Sequence, residues 1–251
     1  MLKPGFQRKA PVYWEKCLDS TSSELKLMAD KGAENGTVLT AESQLGGRGR
    51  QGRSFISPEG GIYMSMLIRP NCEAERCTQL TPLAAVAVHR AVKECTGLDA
   101  DIKWPNDLLL GDKKFCGILT ELSFDKEGKA QIILGIGINL NTPEEAFEGE
   151  LSDIACSILS HSGKSFDKAK LLELLIKELD EHISRWQDEG CFFLEEYRQV
   201  CCCKDRQARL ITGEKSEDVW LLGIEDDFGL SVRYENGSTD KLYFGEISLR
   251  I

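Results

Sequence analysis

The segment from Leu80 to Thr96, LTPLAAVAVHRAVKECT, sets alanine, valine and leucine around most of a helical circumference. A helix that is apolar on nearly every side cannot rest on a surface and must be mostly buried. Strands to bury it are at hand: Ile62 to Ile68, Ile102 to Leu110, Phe115 to Phe124 and Ala130 to Leu140 read as apolar runs, the second and third joined by Gly111-Asp112-Lys113-Lys114. Lys168 to Trp186 carries Leu172, Ile176, Leu179, Ile183 and Trp186 at helical spacing, an amphipathic helix whose stripe packs on that sheet rather than forming a partner groove. These elements predict a mixed α/β fold on a largely antiparallel sheet with packed helices. His89 falls inside the buried helix and reads as a packed histidine, with no partner for catalysis.

Upstream, Asp19 and Ser20 mark a helix start, with Thr21 and Glu24 in capping-box spacing and Leu25, Met28 and Ala29 on an apolar face closed by Gly32 and Gly36. A short strand from Thr37 to Thr40 leads into a glycine-rich loop from Gly46 to Gly52. Downstream of Cys203 short alternating runs are separated by turn signals at Gly213-Glu214, Asp226-Asp227-Phe228-Gly229 and Asn236-Gly237, the pattern of a small all-β barrel. The predicted division is residues 1–205 and 206–251.

The 251 residues carry 31 Lys+Arg against 41 Asp+Glu, a net charge of −10, which excludes a generally basic nucleic-acid coat. With 41% hydrophobic and 29% charged residues and only 7 prolines, a disordered or fibrous chain is excluded as well. No stretch approaches the roughly 18 to 20 apolar residues of a membrane span. Lys3, Pro4, Arg8, Lys9 and Pro11 interrupt the segment Met1 to Trp14, so it lacks the apolar core of a signal peptide. The expected compartment is the cytoplasm, and the ten cysteines are expected to be reduced thiols. Metal binding at Cys201-Cys202-Cys203 or at Cys72 and Cys77 is disfavoured, because neither spacing is that of a zinc knuckle.

Against the acidic background one basic cluster stands out: Gly46-Gly47-Arg48-Gly49-Arg50-Gln51-Gly52-Arg53. Glycines let backbone N–H groups approach an anion, and guanidinium groups clamp phosphate or carboxylate oxygens. A site for a small phosphorylated compound, a nucleic-acid contact and a surface loop all remain open from this spacing, which is neither a Walker loop nor a dinucleotide fingerprint. Lys103-Trp104-Pro105-Asn106-Asp107, with Lys114 and Gly117 across the hairpin, is the second element. A lysine in an apolar strand needs a reason: either Lys103 pairs with Asp107, or Lys103 or Lys114 faces a reacting phosphate or acyl oxygen. The third, Gly135-Ile136-Gly137-Ile138-Asn139-Leu140-Asn141, is a strand whose glycines leave room for a ligand or a second backbone.

Together these segments resemble one family. Asp19-Ser20-Thr21, Gln44 with the loop Gly47-Arg48-Gly49-Arg50, Lys103 to Asp107, Lys114 with Gly117-Ile118-Leu119, Gly137-Ile138-Asn139 and the terminal Gly245-Glu246-Ile247-Ser248-Leu249-Arg250 stand in the order and spacing of bacterial biotin–protein ligases. The resemblance implies a biotin/lipoate ligase-like catalytic domain followed by a small C-terminal SH3-like barrel. It also implies a two-step reaction with ATP and magnesium: biotin becomes biotinyl-adenylate, which a lysine of the biotin carboxyl carrier protein then attacks. Such chemistry needs positioning and charge neutralisation rather than a protein nucleophile.

Carried over by the resemblance, Ser20, Thr21, Ser22 and Gln44 bind biotin, together with Arg48, Gly49, Arg50, Lys114 and Gly117. Arg48, Arg50, Arg53, Phe55, Lys114 and Asn139 hold ATP and the adenylate, Asn139 reading the adenine edge. Lys114 is the first choice for catalysis, Arg50 retains the intermediate, Asp107 orients the incoming amine and Lys103 completes the catalytic set. No dedicated metal site is expected, since magnesium comes with ATP. The loop from Gln44 to Phe55 is expected to act as a lid. Ser22 stands where asparagine is common, Phe55 where tryptophan is common, and Gln51 removes one basic group from the loop. Some relatives carry an N-terminal helix-turn-helix domain; here the motifs begin at Asp19, and no specific DNA or membrane binding is expected. A homodimer through the catalytic sheet is expected as well. Two other readings are a lipoate or octanoate ligase of the related fold and a non-catalytic sensor of biotin or its adenylate.

Overall fold

The computed structural model describes residues 8–213 and 215–249. Lys3 and Pro4, Glu214 of the first barrel turn and Arg250 of the terminal motif lie outside the described residues.

In chain order the first part of the molecule runs β1 (Val12–Leu18), α1 (Thr21–Asp30), β2 (Val38–Gln44), β3 (Ile62–Ile68), α2 (Leu80–Thr96), β4 (Asp101–Lys103), β5 (Asp107–Leu110), β6 (Lys113–Phe124) and β7 (Ala130–Ile138). Its seven strands form one sheet in the order β1-β2-β3-β7-β6-β5-β4. Only β1 and β2 are parallel, and every other neighbouring pair is antiparallel. The helices α3 (Leu151–Ile154), α4 (Ile158–Ser162), α5 (Lys168–Glu189) and α6 (Leu194–Val200) follow.

The two faces of this sheet are covered unequally. On one, Ile62, Met64, Met66 and Ile68 of β3 and Ile132, Leu134, Ile136 and Ile138 of β7 pack against α2 and the apolar stripe of α5 in one large core. Each fully buried Leu, Ile or Met there contributes about 1.5–3 kcal/mol. The alanine- and valine-rich α2 is buried along most of its length, as its composition requires, and His89 is a packed residue whose Nδ1 lies 2.9 Å from the Ala100 carbonyl oxygen. On the opposite face, α1 makes only a small cluster of Leu25, Ala29, Leu39, Leu67 and Ile133. The rest of that face, over the middle of β6 and β7, is the floor of a cavity.

Two local readings are corrected. Ile102 to Leu110 is two strands, β4 and β5, because Pro105 cannot donate to a ladder and the chain reverses at Trp104-Pro105-Asn106, where the Trp104–Pro105 peptide is cis. The N-cap of α1 is Ser20, whose hydroxyl accepts from the Ser23 N–H at 3.5 Å, rather than Thr21; the Thr21 side chain is engaged elsewhere.

The C-terminal part is a five-stranded antiparallel sheet, β8 (Arg206–Thr212), β9 (Lys215–Ile224), β10 (Leu230–Tyr234), β11 (Thr239–Leu242) and β12 (Glu246–Ser248), in the order β11-β10-β9-β8-β12, a four-stranded meander with β12 returning beside β8. Among the described residues no ladder closes β11 onto β12, so the expected barrel is seen as an open sheet. Ala208, Leu210, Val219, Leu221 and Val232 join the same core as α2 and α5. Trp104 Nε1–H donates to the Phe228 carbonyl at 3.0 Å, and the Phe193 and Phe228 rings stack at 5.2 Å. This packing brings Glu246 of β12 to the rim of the cavity.

Candidate active site

Every residue to which the resemblance assigns a role lines one cavity of about 560 Å³, within the range of small-molecule sites. The polar end is built by the start of α1 and the end of β2. The Gln44 Oε1 accepts from the Thr21 backbone N–H at 2.8 Å and from the Thr21 hydroxyl at 3.0 Å, and Gln44 Nε2 donates to Ser57 Oγ at 2.9 Å. Ser65 of β3, fully buried, lies 2.9 Å from Thr21 Oγ1 and 3.0 Å from Ser22 Oγ. Sequence reasoning missed Ser65 and Ser57: each is a lone serine with no spacing that ties it to Thr21 or Gln44.

At the centre Lys114 of β6 and Asp107 of β5 form an ion pair, Nζ to Oδ1 2.7 Å. Of the two alternatives for Lys103, pairing with Asp107 is not the one seen. The antiparallel register sets Lys103 opposite Asp107 on β4, yet Lys103 Nζ makes no hydrogen bond or ion pair among the described residues and lines the cavity. The strand glycines do leave room, and what fills it is Phe55. A Cβ on Gly137 would lie 2.6 Å from Phe55 Cε1, and one on Gly117 would lie 3.3 Å from Phe55 Cε2. The Lys114 ammonium stands 5.9 Å from the centre of the Phe55 ring.

The arginine loop is folded across this floor and is tied down at three points. Arg48 pairs with Glu121 of β6 at 3.1 Å, Arg50 Nη1 donates to Asn106 Oδ1 at 3.0 Å, and Arg53 pairs with Glu246 of β12 at 2.5 Å. Gly47 is required by close packing, since a Cβ there would meet the Phe55 carbonyl at 2.2 Å. The three guanidiniums therefore do not converge freely on one anion. Arg53, donating to Glu246, holds that carboxyl below its ordinary range. Arg50 has no carboxylate on it; burial lowers its pKa, and the charge of Asp107 offsets part of this. At the far end Asn139 is buried, its Nδ2 donates to the Cys156 carbonyl at 3.1 Å, and its Oδ1 has no hydrogen-bond partner among the described residues.

One cavity thus joins an amide-and-hydroxyl end, a lysine–carboxylate pair, two half-buried cations, Arg50 and Lys103, with no carboxylate paired to them among the described residues, and an open buried acceptor. Among the described residues no three His, Cys, Asp or Glu side chains gather as a metal cage, and all ten cysteines are free thiols. Burial raises the thiols of Cys116 and of Cys156, the latter to about 11, so neither is a ready nucleophile.

Residues 14–139 match the model of the Biotin/lipoate A/B protein ligase family. The chain is 34% identical over 242 residues to the bifunctional ligase/repressor BirA of Bacillus subtilis, covering 95% of this chain and 74% of that one. It is 33% identical over 172 residues to the biotin–(acetyl-CoA-carboxylase) ligase of Paracoccus denitrificans, 67% of this chain and 70% of that one. The structure of biotin protein ligase from Aquifex aeolicus in complex with biotin and ATP superposes with a TM-score of 0.83 at 32% identity, covering 97% of this chain and 99% of that one. By fold, by motif and by these relatives alike, the chain belongs to the biotin/lipoate A/B protein ligase family.

Proposed function

We propose that the chain is an ATP-dependent biotin–protein ligase. A biotin carboxylate oxygen attacks the α-phosphorus of ATP, the bond to the β-phosphate breaks, and pyrophosphate leaves biotinyl-adenylate behind. The ε-amine of a lysine on a biotin carboxyl carrier protein then attacks the acyl carbon; AMP departs, and the amine proton passes to Asp107. The observation that carries this reading is the Lys114–Asp107 pair, lining the same cavity as the polar end and the open Asn139 acceptor. Lys114 neutralises charge on the reacting carboxylate and α-phosphate, Arg50 and Lys103 add positive charge, and Asp107 orients the amine. The ureido ring fits the end formed by Ser20, Thr21, Ser22 and Gln44. Adenine offers an amino N–H to Asn139 Oδ1, and Phe55 and the arginine loop cover the intermediate against water. Magnesium arrives with the phosphates of ATP; the chain offers no cage for it among the described residues, and no step above depends on it.

Purified protein with biotin, ATP, magnesium and a carrier domain is expected to add one biotinyl group to the carrier lysine, read by mass spectrometry. No transfer overturns the proposal. Lipoate in place of biotin tests the other branch of the family, and adenylate without carrier labelling would identify a sensor. We further propose a division near residue 205, a cytoplasmic setting supported by ten free thiols, and a homodimer through the main sheet; sedimentation with and without biotin and ATP tests the last. Among the described residues no helix is long and apolar enough to cross a membrane.

A further inference from the structure

We propose that Ser65, which does not itself line the cavity, is a positioning residue that fixes the direction of a hydroxyl relay and makes Ser22 an acceptor for a ligand N–H. This rests on the biotin reading above.

The direction follows from proton counting. A backbone N–H can only donate, so the Thr21 N–H at 2.8 Å fixes the Gln44 amide with its oxygen toward Thr21. The Thr21 hydroxyl, 3.0 Å from the same oxygen, must donate to it and so spends its single proton. Ser65, 2.9 Å from Thr21 Oγ1, must then donate to Thr21, and Ser22, 3.0 Å from Ser65 Oγ, must donate to Ser65. Ser65, Thr21 and Ser22 are 0%, 3% and 7% exposed, so bulk water is not at hand to reverse the chain. The other end is fixed in the same sense: Gln44 Nε2 donates to Ser57, whose proton goes to the Phe55 carbonyl at 2.9 Å.

Ser22, a cavity-lining residue, therefore presents only lone pairs to the cavity. A Cβ on Gly135 would lie 2.7 Å from Ser22 Oγ, so the facing strand is bare where the hydroxyl points. A ureido N–H complements that acceptor, whereas a carbonyl or thioether there meets lone pairs with lone pairs. Without the Ser65 hydroxyl, the Ser22 proton loses its acceptor and turns toward the ligand N–H, donor against donor.

The test is biotin-dependent pyrophosphate exchange in the full chain with Ser65→Ala, Ser22→Ala and the double variant. Ser65→Ala is expected to raise the KM for biotin about tenfold, with kcat and the KM for ATP unchanged. The double variant is expected to be no worse than the worse single one, because both remove the same acceptor. Of the two biotins methylated on one ureido nitrogen, the parent protein should reject one isomer more strongly, and Ser65→Ala should erase that preference. Ser65→Cys keeps a side chain at the site, somewhat larger and a poor donor, and its biotin KM should fall between parent and Ser65→Ala; it answers the question if the alanine variant does not fold. A KM for biotin within about twofold of the parent, additive single effects or an unchanged isomer preference each overturns the relay. Absence of biotin-dependent exchange in the parent protein overturns instead the biotin reading, and the relay's ligand with it.

Discussion

Replacing Gly137 by alanine tests how the lid is held. Gly137 lies in β7 with Tyr63 of β3 on one side and Gly117 of β6 on the other, so its backbone cannot retreat. The new methyl would stand 2.6 Å from Phe55 Cε1 and 2.9 Å from Cζ, well inside contact distance. Phe55 is at the end of a loop and can move, so the ring leaves the floor. It forfeits a half-buried aromatic surface, the edge-on contact with Tyr63 at 6.4 Å and the Lys114 ammonium on its face. Half the burial of a phenylalanine plus one aromatic pair amounts to about 1.3–3 kcal/mol. The open loop should then be about ten- to a hundredfold more populated. Limited trypsinolysis reads this at Arg48, Arg50 and Arg53: the initial cleavage rate should rise by that factor while the thermal midpoint barely moves, because the main core lies on the opposite face of the sheet. In a Phe55→Ala background the Gly137 substitution should be silent. Unchanged cleavage, or a loss of global stability as large as that of a core truncation, would refute this account.

Lys114→Ala should lower biotin-dependent pyrophosphate exchange by about 10²–10³-fold, the usual loss when one positive donor to a developing charge is removed. Asp107→Asn should spare that exchange more than it spares carrier labelling, so that adenylate accumulates in a quenched-flow assay. Asn139→Ala should raise the KM for ATP about tenfold and leave the KM for biotin unchanged, as expected for loss of a single hydrogen bond to adenine. In the C-terminal sheet the ammonium of Lys241, donating to Asp227, lowers that carboxyl from 3.8 to about 2, with the Tyr243 hydroxyl and Gly229 N–H assisting. A depressed carboxylate stabilises the fold above its unfolded pKa and loses that contribution as pH falls through the folded value. Asp227→Asn should therefore lower the urea midpoint modestly at neutral pH, with the deficit vanishing as pH falls from about 4 toward about 2.

The large elements were legible where a strong pattern had one physical solution. The apolar circumference of α2 and the continuous apolar run of β3 place both elements within the residues expected. Edge strand β1 was not legible, because Glu15 and Lys16 face outward and break the alternation. The break between β4 and β5 had a signal in Pro105 that the surrounding Ile, Trp and Leu masked. All the site residues read by resemblance lie on one cavity, but their partners were not readable from the chain. Asp107 takes Lys114 from β6 although Lys103 stands opposite it in the β4–β5 register, and Ser65 meets Thr21 only because β3 passes under α1. Such pairings are decided by which side chains the tertiary fold brings together, which no local spacing encodes.

The fold also redistributes the charge of the arginine loop, and this ranks its members. Read along the chain, Arg48, Arg50 and Arg53 are equivalent cations in a protein of net charge −10. In the fold Arg48 faces Glu121 and Arg53 faces Glu246, so a phosphate that engages either must displace a carboxylate, and the gain is a difference between two similar attractions. Both pairs are also largely exposed, where such attractions are screened. Arg50 is different: half-buried, it has already lost part of its hydration and holds only the neutral oxygen of Asn106, which in turn is fixed by donating to the Ile118 carbonyl at 2.9 Å. An anion arriving there meets a desolvated cation with no counter-charge to displace. Of the three alanine substitutions, Arg50→Ala should therefore raise the KM for ATP most and release the adenylate fastest, measured as free adenylate passing an ultrafiltration membrane. Arg48→Ala and Arg53→Ala should each have the smaller effect, with loosening of the loop toward trypsin. An equal or larger loss from either of those two would mean that pairing with Glu121 or Glu246 does not set the loop's response to its ligand.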